Sequence, residues 1–346
     1  MNFIVLGAGA IGCYVGGRLA LAGQNVTLVG RPRVIEPLAL GGLTVTDLDG
    51  FKATLAAKDL RLATSLAARE SNAGPDAGAT DKSSAEPSVI LLCVKGGATE
   101  SAAHEIAQTC PAGTTVISLQ NGMDNVARIQ ANAPGMVALA GMVPYNVVMP
   151  DANHVHRGTT GALYMAKQAE TQALVPAWNA AGLPLELTTD MQSVQWGKLL
   201  LNLNNPVNAL SNLPLRTQLM DRDYRRVVAS LQTEALQALK AAGIHPAKVA
   251  TAPPLWLPFI LRLPNAIFTR VAARMLRMDA AARSSMWEDF QQGRVTEIDD
   301  LCGAVVRLAQ AHGTQAAANA AMCRLVSNHQ PGQSMSGAAL RAALGT

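Results

Sequence analysis

Residues 1–12 read MNFIVLGAGAIG, a short apolar run that delivers the chain straight into glycines at positions 7, 9 and 12. The apolar run reads as a strand and CYVGGRLALAG (13–23) as a helix, and QNVTLVGR (24–31) then gives a second strand. The whole makes a βαβ unit of the expected ~30 residues. In such a turn the first glycine permits the sharp bend, the second lets backbone approach a pyrophosphate, and the third lets helix pack closely on strand. Phosphate charge then sits on the positive end of the helix dipole. The stretch GAGAIG, that is Gly7, Ala8, Gly9, Ala10, Ile11 and Gly12, is therefore expected to hold a dinucleotide.

Working outward, SVILLCVK (88–95) and TTVISLQNG (114–122) are continuous apolar runs that end in polar residues, as buried parallel strands do. GMVALAGMVPYNVV (135–148) and GALYMAK (161–167) add β content. ESNAGPDAGATDKSSAE (70–86) has almost no large apolar side chain and reads as a mobile surface loop. From about Asp190 the pattern changes to helical periods at 190–212, 219–243, 265–290 and 296–312. The fold class is thus α/β: an N-terminal Rossmann-type parallel-sheet domain over 1–189, then an all-helical C-terminal domain over 190–346, which carries substrate and catalysis.

Composition narrows the function. A formal charge of +4 on 346 residues gives no nucleic-acid surface. Five scattered cysteines, with no CxxC pair or histidines at ligand spacing, read as reduced core thiols and not as a metal site. The N-terminus lacks a basic n-region, and the most apolar stretch, PPLWLPFILRLP (253–264), is cut by prolines and Arg262 short of a ~20-residue span. A cytoplasmic location is expected.

The nucleotide preference turns on Gly30-Arg31. NAD-selective sites place an acid about 20 residues beyond the glycines, against the ribose hydroxyl, whereas an arginine there accommodates the 2′-phosphate of NADP. Arg31 and Arg33 occupy this place and the nearest acid, Glu36, lies beyond Pro32. NADPH is the expected cofactor. Lys95 closes its strand at the same sheet edge and suits a phosphate. Asn121 either belongs to an Asn-Gly turn or supplies hydrogen bonds near the nicotinamide.

In WGKLLLNLNNPVNAL (196–210), Lys198, Asn202 and Asn205 recur at i, i+4, i+7 and share one face of a leucine-rich helix. A lysine buried there is costly unless a ligand answers it. Pro206 cannot donate to the carbonyl of Asn202, so the helix should kink or loosen. In RSSMWEDFQQGRVTEIDD (283–300), Ser284, Ser285 and Asp289 lie on a helix that Gly293 interrupts. Thr296 reads as an N-cap with Asp299 three residues on, which puts Glu297 in the first turn.

In combination these segments resemble the ketopantoate reductase (2-dehydropantoate 2-reductase) family over about residues 1–313. The resemblance implies NADPH-dependent reduction of a branched 2-oxo acid on the way to pantothenate, without metal. It implies Lys198 as proton donor, Asn202 and Asn205 as substrate contacts and Ser285 as a ligand of the substrate carboxylate. Asn121 would touch nicotinamide and substrate, and Glu297 would lie on the cofactor side of the cleft. The chain departs from the family pattern in three places. It is one residue shorter between Asn202 and Pro206, so Asn205 and Asn208 compete for the second asparagine role. Ala282 stands where an asparagine is usual, and Cys302 replaces the asparagine of the usual NG. Other carbonyl substrates, or a non-catalytic NADP(H) sensor, are the competing functions. The acid-free segment 247–278, with Trp256, Phe259, Phe268, Lys248, Arg262, Arg270, Arg274 and Arg277, is expected to pack inside the helical domain or across a homodimer interface, an interfacial membrane helix being the alternative.

Overall fold

The computed structural model describes residues 1–69, 88–249, 252–273, 276, 282–330 and 332–345. The loop expected at 70–86 lies outside the described residues, as do Arg274 and Arg277. The chain forms two compact units, Met1–Gln120 with Asp124–Met191, and Asn121–Met123 with Gln192–Thr346. Among the described residues no helix is long and apolar enough to cross a membrane.

The first unit contains strands β1 (Asn2–Leu6), β2 (Asn25–Val29), β3 (Leu43–Asp47), β4 (Lys52–Leu55), β5 (Arg61–Ala63), β6 (Ser88–Leu92), β7 (Thr115–Ser118), β8 (Val137–Met142), β9 (Val147–Asp151), β10 (His154–Arg157), β11 (Leu163–Ala166) and β12 (Leu185–Thr188). Its helices are α1 (Ala10–Leu21), α2 (Pro32–Gly41), α3 (Thr99–Thr109), α4 (Asn125–Asn132), α5 (Ala169–Gln172) and α6 (Val175–Ala180). One sheet has the order β12-β11-β8-β7-β6-β1-β2-β5. It is parallel from β5 through β8, and β11 joins β8 antiparallel. Phe3, Ile4, Val5 and Leu6 are all buried, each such side chain stabilising by about 1.5–3 kcal/mol. The chain runs outward from β1 to β2 and β5, then returns to β6 on the other flank of β1. The crevice at the carboxyl ends of β1 and β6 is where ligands of such sheets gather.

A second sheet, β4-β3-β10-β9, is absent from the sequence reading. Arg18 of α1 ties it down. Its guanidinium lies over the Phe51 ring at 3.9 Å, pairs with Asp47 Oδ2 at 3.2 Å and donates to Ala181 O at 2.9 Å. Arg157 reaches the same Asp47 Oδ2 at 3.1 Å. Burial opposes ionisation of Asp47, but the Phe51 N–H, Arg157 and the Asp49 N–H outweigh it and hold the carboxyl below its usual range.

The second unit is helical: α7 (Met191–Asn202), α8 (Asn204–Ser211), α9 (Leu215–Met220), α10 (Arg222–Ala241), α11 (Leu257–Arg262), α12 (Asn265–Val271), α13 (Ser285–Gln291), α14 (Ile298–Ala311), α15 (Ala317–Ser327) and α16 (Gly337–Leu344). The period at 190–212 breaks at Leu203, which puts Pro206 in the first turn of α8, where its missing N–H would have no intrahelical acceptor. The period at 265–290 is not one helix, because α12 stops at Val271 and Ser284 starts α13 by accepting from Trp287 N at 3.2 Å. Gly293, at φ +59°, ends α13 with Gly293 N–H on Phe290 O and Arg294 N–H on Asp289 O. Glu297, not Thr296, is the N-cap of α14. Among the described residues of the acid-free segment Leu257, Pro258, Leu261, Phe268 and Ala272 are buried and Ile260, Leu263 and Leu276 pack against the helical core, so interior packing accounts for part of it, while Leu255, Trp256, Phe259, Ile267 and Val271 stand exposed. All five cysteines are free thiols, and burial raises Cys13 to about 12 and Cys323 to about 11.

Candidate active site

Each of the three glycines of the GAGAIG turn meets a different physical demand. Gly7 has φ +109°, and a Cβ on it would stand 2.6 Å from Cys93 C and Val94 N, so it lets the chain leaving β1 pass the chain leaving β6. A Cβ on Gly12 would meet Gly7 O at 2.2 Å, which is the close contact of helix and turn. Gly9 is exposed, and a Cβ there would find no atom within 4 Å. The space beside Gly9 is thus open to a ligand. Gly7 and Ala8 both donate to Val29 O at 2.9 Å, which fixes the turn on β2.

Helix α1 begins without a side-chain cap and without an acid in its first turn. Its first N–H groups, at Ala10, Ile11 and Gly12, have no acceptor within the helix. These features fit a pyrophosphate. Gly30 brings the end of β2 against the same turn, since a Cβ on it would lie 2.7 Å from Ala8 Cβ. Arg31, exposed at the N-cap of α2, follows directly, its guanidinium with no protein partner among the described residues. Exposed Lys95 follows Val94 at the N-cap of the 3-10 turn Gly96–Ala98. The first unit therefore collects the glycine turn, Arg31 and Lys95 at one sheet edge.

The second unit collects the rest. Leu199, Leu200 and Leu203 bury their side chains in the helical core, while Lys198 and Asn202, four apart, are only partly buried. Asn202 Nδ2 donates to Asn121 Oδ1 at 3.4 Å, and Asn121 Nδ2 donates to Glu297 Oε2 at 3.0 Å. Burial lowers the Lys198 pKa from its ordinary value to about 8, partly offset by the nearby Glu297 carboxylate. A lysine, two carboxamides and a carboxylate thus come together from positions up to 176 residues apart.

Asn205 and Asn208 separate cleanly. Asn208 is fully buried; its Nδ2 donates to Leu213 O at 2.9 Å and its Oδ1 accepts from Ser284 N at 2.9 Å. The Asn205 carbonyl accepts from Ser284 Oγ at 3.2 Å, whereas its side chain has no partner among the described residues. The Ser285 hydroxyl is likewise without one, and it begins α13 beside the capping Ser284. Asp289 is buried against Arg294 at 2.9 Å and belongs to the frame of α13. Cys302 lies wholly inside the helical core.

Two positioning roles escaped the sequence reading. One is the close packing of Gly30 against Ala8. The other is that of Gln120, buried, which donates to Val94 O at 2.9 Å and Thr99 Oγ1 at 2.8 Å, and so clamps the ends of neighbouring strands. A buried amide just before the Asn-Gly pair was the available signal.

Comparisons with known proteins agree with the resemblance. A family profile described as ketopantoate reductase PanE/ApbA matches residues 3–170, and its C-terminal counterpart matches residues 190–330. A 2-dehydropantoate 2-reductase from Halobacterium salinarum is 28% identical over 320 residues, covering 90% of this chain and 93% of the relative. The crystal structure of a PanE/ApbA family ketopantoate reductase from Ralstonia eutropha superposes with a TM-score of 0.76 at 26% identity, covering 94% of this chain and 97% of that one. A ternary structure of D-mandelate dehydrogenase with NADH and anilino(oxo)acetate gives 0.74 at 18% identity, with 94% and 97% coverage, and shares the fold.

Proposed function

The chain belongs to the ketopantoate reductase family, a family of NAD(P)-dependent oxidoreductases, and from that premise we propose that it reduces 2-dehydropantoate to pantoate with NADPH. The observation that carries this reading is the polar face of α7 in an otherwise leucine-lined helix: Lys198 beside the hydrogen-bonded chain Asn202, Asn121, Glu297. When bound, the reduced dinucleotide supplies a hydride to the ketone carbon.

The residues of the chain do the remaining work. With its pKa held near 8, the Lys198 ammonium is mostly charged at neutral pH. It both stabilises negative charge developing on the carbonyl oxygen and gives that oxygen its proton. Glu297 and Asn202 fix the Asn121 carboxamide plane from both ends. Asn205 and Ser285, whose side-chain polar groups are not spent on the described protein, are the contacts for the substrate carboxylate, and Asn208 is a structural tie.

Arg31 supports NADPH over NADH. A guanidinium at this point holds a 2′-phosphate in a charge-assisted, bidentate way, and no acid stands at the end of β2 to favour a bare ribose. The GAGAIG turn holds the pyrophosphate and Lys95 a further phosphate oxygen.

The test is to follow NADPH absorbance with 2-dehydropantoate and a panel of other 2-oxo acids. Consumption confined to 2-dehydropantoate is expected. Consumption across the panel would reassign the chain to a broader carbonyl reductase, and binding of NADPH without turnover would make it a sensor.

A further inference from the structure

The segment 255–271 exposes apolar surface that the reaction does not use. Leu255 is 72% exposed, Trp256 64%, Phe259 69%, Ile267 49% and Val271 55%, half of the large apolar side chains standing in solvent among the described residues. Spacing puts them on faces. Phe259 and Arg262 lie three apart on α11, with Leu255 and Trp256 in the 3-10 turn Pro254–Trp256 just before it, and Ile267, Arg270 and Val271 recur at i, i+3, i+4 on α12, so each short helix shows an apolar side chain and an arginine together.

This surface is rigidly held. Arg225 of α10 is fully buried and donates to the carbonyls of Leu219, Met220, Leu261 and Leu263 and to Asn265 Oδ1, with its guanidinium 4.1 Å from the centre of the Phe268 ring. Three of these bonds, to Leu261, Leu263 and Asn265, clamp the α11–α12 turn and the other two tie it to the end of α9, so the apolar side chains stand out from a fixed frame.

We propose that the ridge of Leu255, Trp256 and Phe259, with Ile267 and Val271, docks on the surface of an anionic lipid bilayer, with Arg262 and Arg270 against the headgroups. Charge complementarity selects this occupant. Arg262 and Arg270 have no carboxylate partner among the described residues, and the sequence contains no acid from 247 to 278. A two-fold contact with a second copy would set this acid-free segment against itself, cation against cation. Helices of six and seven residues are too short to span a membrane, so the contact is interfacial.

The test is flotation of the full chain with vesicles of phosphatidylcholine containing roughly one-third phosphatidylglycerol, against phosphatidylcholine alone. Binding is expected only to the anionic vesicles, weakening as salt rises, with a blue shift of Trp256 emission that Trp256→Phe abolishes. Leu255→Ser/Trp256→Ser/Phe259→Ser should weaken binding by at least roughly 100-fold, and Arg270→Gln by about fivefold. Should the triple variant unfold, Arg270→Gln decides alone. The proposal is overturned by equal binding to both vesicle types or none to either. It is also overturned by a dimer that the triple variant dissolves, or by soluble polyglutamate binding as tightly as the vesicles, which would mark an acidic protein partner.

Discussion

The glycine turn after β1 and the Lys198 face of α7 both prepare for charge, in opposite ways. At the turn the work is done by backbone and by missing side chains, so Gly7 and Gly12 belong to the fold and to the proposed nucleotide site at once. On α7 it is done by side chains hung on an ordinary helix whose packing rests on Leu199, Leu200 and Leu203. Substitutions should therefore couple stability and binding at the turn and separate them on the helix.

The largest expected effect tests the separable side. Lys198→Ala should lower kcat by roughly 10²–10⁴, with NADPH affinity and thermal midpoint nearly unchanged; loss of nucleotide binding in titrations would put Lys198 in a structural role. Next comes the coupled side. Gly12→Ala drives a methyl into Gly7 O and should destabilise the protein by about 1–3 kcal/mol while weakening NADPH binding. Gly9→Ala, which meets open space, should weaken binding and leave the calorimetric midpoint in place. If the two variants melt alike, the comparison fails.

Arg31→Ala should cost roughly 10- to 100-fold in NADPH affinity, the range of one charge-assisted contact, and leave NADH unaffected. Measuring both nucleotides distinguishes a 2′-phosphate contact from general loss of the turn. The smallest effect is a shift in pH. A proton-donating Lys198 with a pKa of about 8 makes kcat/KM fall as pH rises through that value. Glu297 raises this pKa, so Glu297→Gln should move the falling limb to lower pH; an unmoved limb would assign it to another group. Stability carries the opposite sign. Between about 8 and the unfolded lysine's ~10.4 only the unfolded chain holds the proton, so stability rises with pH across that window.

The same contrast explains what could be read in advance. The turn is local, so GAGAIG and Gly30-Arg31 are legible as a string of residues. The αβ alternation and the switch to helical periods near Asp190 are legible for the same reason. The β4-β3-β10-β9 sheet is not: LTVTD, KATL and HVHR are short and half polar, and β10 pairs with β3 in parallel from more than a hundred residues away. The N-cap of α14 was displaced by one residue, to Glu297, whose side chain meets distant Asn121. The polar face at Lys198 was visible as i, i+4 spacing, yet the hydrogen bonds that organise it join residues 81 and 176 positions apart. The hydrogen bond that distinguishes Asn208 from Asn205 likewise comes from Ser284, 76 residues from Asn208.

That last bond has a wider meaning. Through Asn208 and the Asn205 carbonyl, the serine turn opening α13 is geared to α8, so the two elements that present Asn205 and Ser285 move as one piece. With Asn205 and Ser285 holding the substrate as proposed, descendants of this chain that acquire a new one would change it by trading side chains on a fixed bracket, since sliding one element along the other would first have to break a buried carboxamide out of its socket.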